Sequence, residues 1–135
     1  MKNFRWMLAV VAVVALALAA SGQKPSDVYR GLKYDKTTEV KIHGTVEEIQ
    51  DFDCPISGSL GSHAVLKTSD GPILVHVAPV KFMKEYGLEI TKGDNVEITG
   101  SKVKDSTGHD TILARELVKD NITLRFRDTN GKPIW

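Results

Sequence analysis

The stretch from Ala64 to Gly100 most constrains the fold, because apolar and polar residues alternate on both sides of an Asp70-Gly71 pair. Such alternation is typical of half-buried strands, and Asp-Gly favours a two-residue hairpin turn. With this turn, His63 and His76 lie diagonally on one outer face, about 7–8 Å apart. The predicted core face of the hairpin carries Ala64, Leu66, Ile73, Val75 and Val77.

A short helix and a returning strand follow the hairpin. Pro79 suits the first position of a helix, and Gly87 can adopt the left-handed backbone that ends one. So short a helix is marginal alone, and we expect Phe82 to be buried against the strands. Gly93-Asp94 then opens a strand that runs to the end of the stretch.

Alternation before the hairpin predicts a first strand from Thr37, with Gly44 in mid-strand permitting a strong bend. Segment 51–62, rich in Asp, Ser and Gly, is predicted to be a loop carrying Asp53 and Cys54. A second loop, 104–110, carries His109.

The C-terminal part predicts a fifth strand, 111–118, a turn at 119–121 and one further strand. We expect Trp135 to pack back, because exposing so large an apolar group forfeits about 2 kcal/mol. The further strand places three residues inward, namely Ile122, Leu124 and Phe126. It places three outward, namely Thr123, Arg125 and Arg127.

These elements predict an all-β fold with one short helix: a five-stranded barrel of the OB type plus a C-terminal extra strand or hairpin. The predicted OB domain spans residues 37–135, including a C-terminal extension, 119–135. A lead-in segment, 23–36, precedes it, and the sequence leaves open whether Tyr29 and Tyr34 pack on the barrel.

Residues 1–22 have the pattern of a cleavable export signal. Lys2 and Arg5 precede an apolar run, Met7 to Ala20, which is followed by small residues. As a helix the run is about 21 Å long against a ~30 Å hydrocarbon core, which favours removal over an uncleaved anchor, the alternative. We therefore expect a periplasmic or secreted protein.

Charge and composition argue against several classes of function. The whole chain has 18 basic and 17 acidic residues, and loss of Lys2 and Arg5 with the signal leaves 16 basic ones. This balance does not favour nucleic-acid binding. The single cysteine excludes an internal disulfide. Neither a Gly-rich phosphate loop nor a G-x-S-x-G elbow occurs, and we expect no enzyme.

The predicted ligand-binding face is the outer face of the second and third strands. It carries His63, Val65, Lys67, Leu74 and His76, and it is flanked by Asp53, Cys54 and His109 in the two loops. Our leading hypothesis is an exported binding module, monomeric and non-catalytic, that presents this face to a small molecule or an envelope protein.

Cys54, His63 and His76 suggest an alternative, a periplasmic carrier or sensor of metal or cofactor. Thiolate and imidazole suit copper or zinc, provided that the ligand atoms converge on one ion. The competing interpretation is a surface histidine pair beside an inert thiol, and the sequence leaves open whether Cys54 is free, metal-bound or in an intermolecular disulfide. His43, on the first strand, is expected to be exposed and separate.

The order of these motifs resembles the bacterial OB-fold (BOF-like) group of small exported proteins, from about Thr37 to Val118. The resemblance rests on a DG hairpin, a P-x-x-F helix, a G-D-x-V-x-I-T-G strand and a final I-L-A-R-E-L strand, and it implies a fold rather than chemistry. The layout is also similar to the haem chaperone of cytochrome c maturation, which carries haem on a histidine shortly after that strand. Residues 118–123 contain no histidine.

Overall fold

The computed structural model describes residues 23–135, and the predicted export signal lies outside the described residues. The helices are α1 (Pro25–Val28), a 3-10 turn (Lys36–Thr38) and α2 (Val80–Glu85). The strands are β1 (Glu39–Cys54), β2 (Ser59–Thr68), β3 (Gly71–Pro79), β4 (Asn95–Lys104), β5 (Asp110–Lys119) and β6 (Ile122–Arg125). Within this range, no helix has the length and apolarity needed to cross a bilayer.

Five strands close into a barrel, and the sixth lies outside it. β1 pairs with β2 and β4, β2 with β3, and β4 with β5, all antiparallel. A short parallel pairing, from Leu74–Thr111 to His76–Leu113, joins β3 to β5 and closes the ring. β6 pairs with the free side of β5. The predicted OB-type barrel with an extra C-terminal strand is confirmed.

β1 serves both halves of the barrel because it bends. Its first half pairs with β4 and its second half with β2, with a register shift between Val46 and Glu48. A Cβ atom on Gly44 would lie 2.5 Å from the carbonyl oxygen of Lys67, so a larger residue would push β1 away from β2.

The barrel interior holds the main core, and α2 closes one end of it. Phe82 of α2 is buried, as the sequence predicts, and Met83 is buried beside it. The Trp135 ring packs back as predicted, with its centroid 6.2 Å from that of Phe82. Pro79 precedes the helix rather than opening it. The strands supply the rest of the core, including Val46, Leu66, Val75, Ile98, Ile112 and Leu117.

The β2–β3 turn differs from the prediction by one residue. Thr68 pairs with Gly71, so the two-residue loop is Ser69-Asp70. Gly71 has a φ of +109°, and the Thr68 hydroxyl accepts from the Asp70 amide and donates to the Gly71 carbonyl. Gly71, with its positive φ, is therefore the first residue of β3 after the loop, whereas the sequence predicted it to be the second residue of the loop itself.

The predicted loop 51–62 is wrong, because most of it is a hairpin. Residues Asp51–Cys54 of β1 pair with Ser59–Ser62 of β2, and only residues 55–58 form the turn. The Asp, Ser and Gly residues of this segment favour a loop, but packing outweighs this preference. Phe52 and Cys54 form strand residues because they pack beneath the N-terminal segment.

The face assignment of the C-terminal strand is correct for Leu124 and Phe126 and wrong at both ends. Ile122 is 57% exposed beside the tight turn, whereas Arg127 is only 7% exposed. The amides of Phe126 and Arg127 both donate to the Arg115 carbonyl, which shifts the alternation by one residue after Phe126. Arg127 therefore turns inward.

Candidate metal centre

The N-terminal segment covers the outer face of β2 and β3 and builds a second, smaller core. Val28 and Tyr29 are 0% and 3% exposed, and the Ser106 amide in the β4–β5 loop donates to the Val28 carbonyl at 3.0 Å. The other members of this core are Cys54, Val65 and Leu74, with Leu32, Phe52 and Ile56 packed against them.

This cover corrects the expectation of an accessible ligand-binding face. Of its five residues, His63, Val65, Leu74 and His76 are buried and only Lys67 is exposed. The lead-in segment, whose packing the sequence did not decide, lies over them. That this face binds a ligand stays a prediction.

Cys54, His63 and His76 come together beneath this cover. One potential ligand atom from each lies within 4.8 Å of the other two, and Cys54 Sγ is 3.6 Å from His76 Nδ1. The histidines are direct cross-strand partners rather than diagonal neighbours, and the β1–β2 hairpin brings Cys54 beside them. All three are buried, so the histidines are not the surface pair of the competing interpretation.

The hydrogen bonds of the two imidazoles differ. His63 Nδ1 lies 3.1 Å from the Gln50 carbonyl oxygen, which can only accept, so Nδ1 carries the proton and Nε2 keeps its lone pair. His76 Nε2 is buried and finds no hydrogen-bond partner within residues 23–135, and its Nδ1 faces only the sulfur of Cys54. Leaving such an atom unpaired costs about 1–3 kcal/mol.

Aromatic rings fix both imidazoles in place. The Phe52 ring stacks on His63 with centroids 3.6 Å apart, and the Tyr29 ring meets His76 edge to face at 4.5 Å. These contacts exclude water from one side of the cluster and restrict rotation of both histidines.

Burial keeps the cluster uncharged at neutral pH. It lowers the pKa of His63 to about 4, although the carbonyls of Gln50 and Gly61 oppose this. The pKa of His76 is lowered well below its usual value by burial, and further by His63 and Arg127. Burial raises the pKa of the Cys54 thiol, although hydrogen bonds from the backbone amides of Ile56 and Ser57 oppose this shift. The imidazoles are thus in the metal-binding form, whereas the thiol must lose a proton.

A small cavity of about 10 Å³ adjoins the cluster. A space of this size holds about one water molecule or one ion. Beyond the three cluster residues, Arg127 and Trp135 are among those that line it.

Arg127 is a buried cation beside this cavity. It donates to the Gly131 carbonyl at 2.8 Å, and its guanidinium lies 5.5 Å from the Tyr34 ring and 5.2 Å from the Trp135 ring. In the described part of the chain no carboxylate forms an ion pair with it, and burial lowers its pKa.

A larger cleft of about 780 Å³ opens between the β2–β3 turn and the β4–β5 loop. It begins where the parallel pairing of β3 and β5 ends, at Leu74 and Thr111. Ile42 and Ile73, which are only partly buried, contribute apolar side chains to it, and Tyr29 lies between it and His76.

The remaining predicted site residues are not members of the cluster. His109 is in the β4–β5 loop, 2.7 Å from the Thr107 hydroxyl, and it lines the cleft. Asp53 is exposed on β1. His43 is 3.0 Å from Glu97 on the barrel surface, exposed as expected.

Several residues around the cluster were not predicted from the sequence, notably Tyr29, Gln50 and Phe52. One signal was available, because Phe52 and Cys54 alternate with aspartates as strand residues do. The other contacts depend on chain segments that are distant in sequence.

A model of the MamS/MamX magnetosome protein family matches residues 38–124. The BOF-like group noted from the sequence is therefore supported only by the barrel itself. No curated protein matches the chain significantly. The mitochondrial single-stranded DNA-binding protein of S. cerevisiae shares 12% identity, covering 70% of this chain and 98% of that chain at a TM-score of 0.41, which is too low to support an inference.

Proposed function

The chain belongs to the MamS/MamX magnetosome protein family, and we propose that it is a non-catalytic binding module that holds one copper(I) or zinc ion on Cys54, His63 and His76. One observation carries the proposal: a thiol and two neutral imidazoles converge in a buried pocket where a ring nitrogen of His76 has no partner within residues 23–135.

The distances suit a metal centre after a small adjustment. Ligand atoms about 2.0–2.3 Å from one ion are roughly 3.3–4 Å from each other. The potential ligand atoms of Cys54, His63 and His76 lie within 4.8 Å of one another, so movements of about 1 Å bring them into this range. One sulfur and two nitrogens favour copper(I) or zinc over calcium or magnesium.

The surroundings support the same ligand set. The Gln50 carbonyl holds the His63 proton on Nδ1 and leaves the lone pair of Nε2 available to bind a metal, as outer hydrogen bonds do at metal sites. Three protein ligands leave a position for a fourth, typical of centres that exchange their metal or ligand.

Metal analysis of protein purified without an affinity tag tests the proposal. We expect one ion per chain in the parent and in His43→Ala, and at least tenfold weaker binding in Cys54→Ser and His76→Ala. Circular dichroism of each variant without metal verifies its fold. No saturable binding by the parent, or an equal loss in His43→Ala, would exclude the site.

We further propose that the protein works in the periplasm or outside the cell. The charged, apolar and small-residue order of residues 1–22 supports export. N-terminal sequencing of protein from the envelope fraction should find a mature chain that begins between Ala20 and Gln23. An intact Met1 in a membrane pellet would contradict cleavage.

The large cleft favours a second candidate function, binding of a small amphipathic molecule. Its volume of about 780 Å³ matches typical ligand pockets, and its apolar side chains are surrounded by charged ones. A thermal-shift screen of small amphipathic compounds tests this. A binder should stabilise the parent and the surface control Ile122→Trp but not Ile73→Trp, in which the larger side chain fills the cleft. Equal stabilisation of both variants would place binding elsewhere.

A further inference from the structure

The donor set of the cluster fits a more specific role than metal storage. Two imidazoles and one thiolate, arranged as a trigonal site, are the ligands of copper centres that transfer single electrons. We propose that Cys54, His63 and His76, with copper bound, form a one-electron transfer centre that alternates between copper(I) and copper(II). This inference rests on the proposed metal site.

The first support is that the ligands are held in place. The Gln50 carbonyl and the Phe52 ring fix His63, and the Tyr29 ring packs on His76. The adjoining cavity of about 10 Å³ holds no more than one water molecule, so copper(II) can recruit at most one extra ligand there. Both oxidation states must therefore use nearly the same geometry, which favours fast electron transfer.

The second support is that Cys54 is protected from oxidation. Copper(II) converts thiolates to disulfides when two of them can meet. Cys54 is the only cysteine of the chain and is 4% exposed, so a second thiol cannot reach it in the folded protein. The unpaired electron then stays at the copper–thiolate unit.

The third support comes from two residues that line the cavity, Trp135 and Arg127. Trp135 lines the cavity and is only partly buried, which gives the cluster an aromatic contact with the surface. The Arg127 cation lines it too, without a carboxylate partner among the described residues. A fixed positive charge favours copper(I) over copper(II), so Arg127 should raise the reduction potential.

The redox step transfers one electron, and no bond in the protein forms or breaks. Copper(I) on the Cys54 thiolate and two imidazoles gives one electron to an outer-sphere one-electron acceptor, and copper(II) keeps the same three ligands. No proton moves and no ligand leaves. The reverse step takes one electron from an outer-sphere donor.

Oxidative titration of the copper(I)-loaded protein tests the proposal. One equivalent of ferricyanide per copper should produce an intense thiolate-to-copper(II) absorption in the visible range and one copper(II) signal in electron paramagnetic resonance. Ascorbate should remove both, and repeated cycles should restore them without loss of metal. His43→Ala should behave as the parent, whereas Cys54→Ser should lack the visible band.

Arg127 provides a second, quantitative test. Arg127→Met should lower the reduction potential of the bound copper, whereas Arg127→Lys, which keeps the charge, should stay close to the parent. Circular dichroism identifies a variant that fails to fold, and the parent titration remains decisive in that case. Copper that binds but is released or stays colourless on oxidation would overturn the redox role and leave the metal site standing. If the parent binds zinc but not copper, the redox role is likewise overturned and the metal site stands. If it binds neither metal, both proposals are wrong.

Discussion

His63 and His76 lie directly opposite each other on β2 and β3, and their rings meet edge to face with centroids 4.8 Å apart. The two-residue turn at Ser69-Asp70 sets this register, since a one-residue slip would move one histidine to the other face. Both rings are buried and neutral, so the pair links the stability of the protein to pH.

The metal-free protein should lose stability as the pH falls from 7 to 5. Both histidines have depressed pKa values when folded, so below about pH 6.5 the unfolded chain binds more protons than the folded one. Each histidine then contributes a loss of about 2 kcal/mol over this interval. Urea unfolding at the two pH values measures it. His43→Ala should show the same loss, and His63→Phe a smaller one; an equal loss in His63→Phe would contradict the assignment.

Metal binding should release about one proton per ion even at pH 5.5. The two imidazoles are already neutral there, and the proton comes from the Cys54 thiol, whose pKa is raised by burial. Affinity should therefore rise about tenfold per pH unit from pH 5.5 to 8. Zinc titrations in buffers of different ionisation enthalpy count the protons. Release of nearly three at pH 5.5 would mean that the histidines titrate as exposed groups do.

The sequence predicted those parts of the fold that are determined by the residues of a single short segment. The Asp70-Gly71 pair marked the hairpin, and Gly44 marked the bend of β1, because each reflects a backbone requirement of its own segment. The turn position was wrong by one residue, since either neighbour of Asp70 can complete a two-residue loop.

The convergence of Cys54, His63 and His76 was predicted from the sequence, but their environment was not. These residues were chosen for their chemistry, whereas their burial depends on α1, which has four residues and no stability of its own. Tyr29 reaches His76 only because the β4–β5 loop holds α1, through Ser106 and Val28. Pairing between segments some 80 residues apart leaves no periodic signal in either one.

Tyr29 should control both stability and access to the cluster. Its ring is 3% exposed and packs on His76 and Phe52, so Tyr29→Ala should cost about 3–4 kcal/mol and open a path to the metal. Metal transfer to a chelator should become at least tenfold faster. Tyr86→Ala, at a tyrosine that is 67% exposed, is the matched control. Equal transfer rates in the two variants would show that metal leaves by another route.

A charged side chain should destabilise the protein strongly in the barrel core and only slightly on the surface. Val75 is fully buried between β2 and β5, so Val75→Asp places an unpaired carboxylate among apolar side chains and should cost several kcal/mol. Ile122→Asp makes the same chemical change on β6, where the side chain is 57% exposed, and should cost well under 1 kcal/mol. Thermal melts of both variants at pH 7, where each aspartate is charged in the unfolded chain, compare the two sites. Similar melting temperatures would mean that the inward and outward faces of the barrel have been assigned incorrectly.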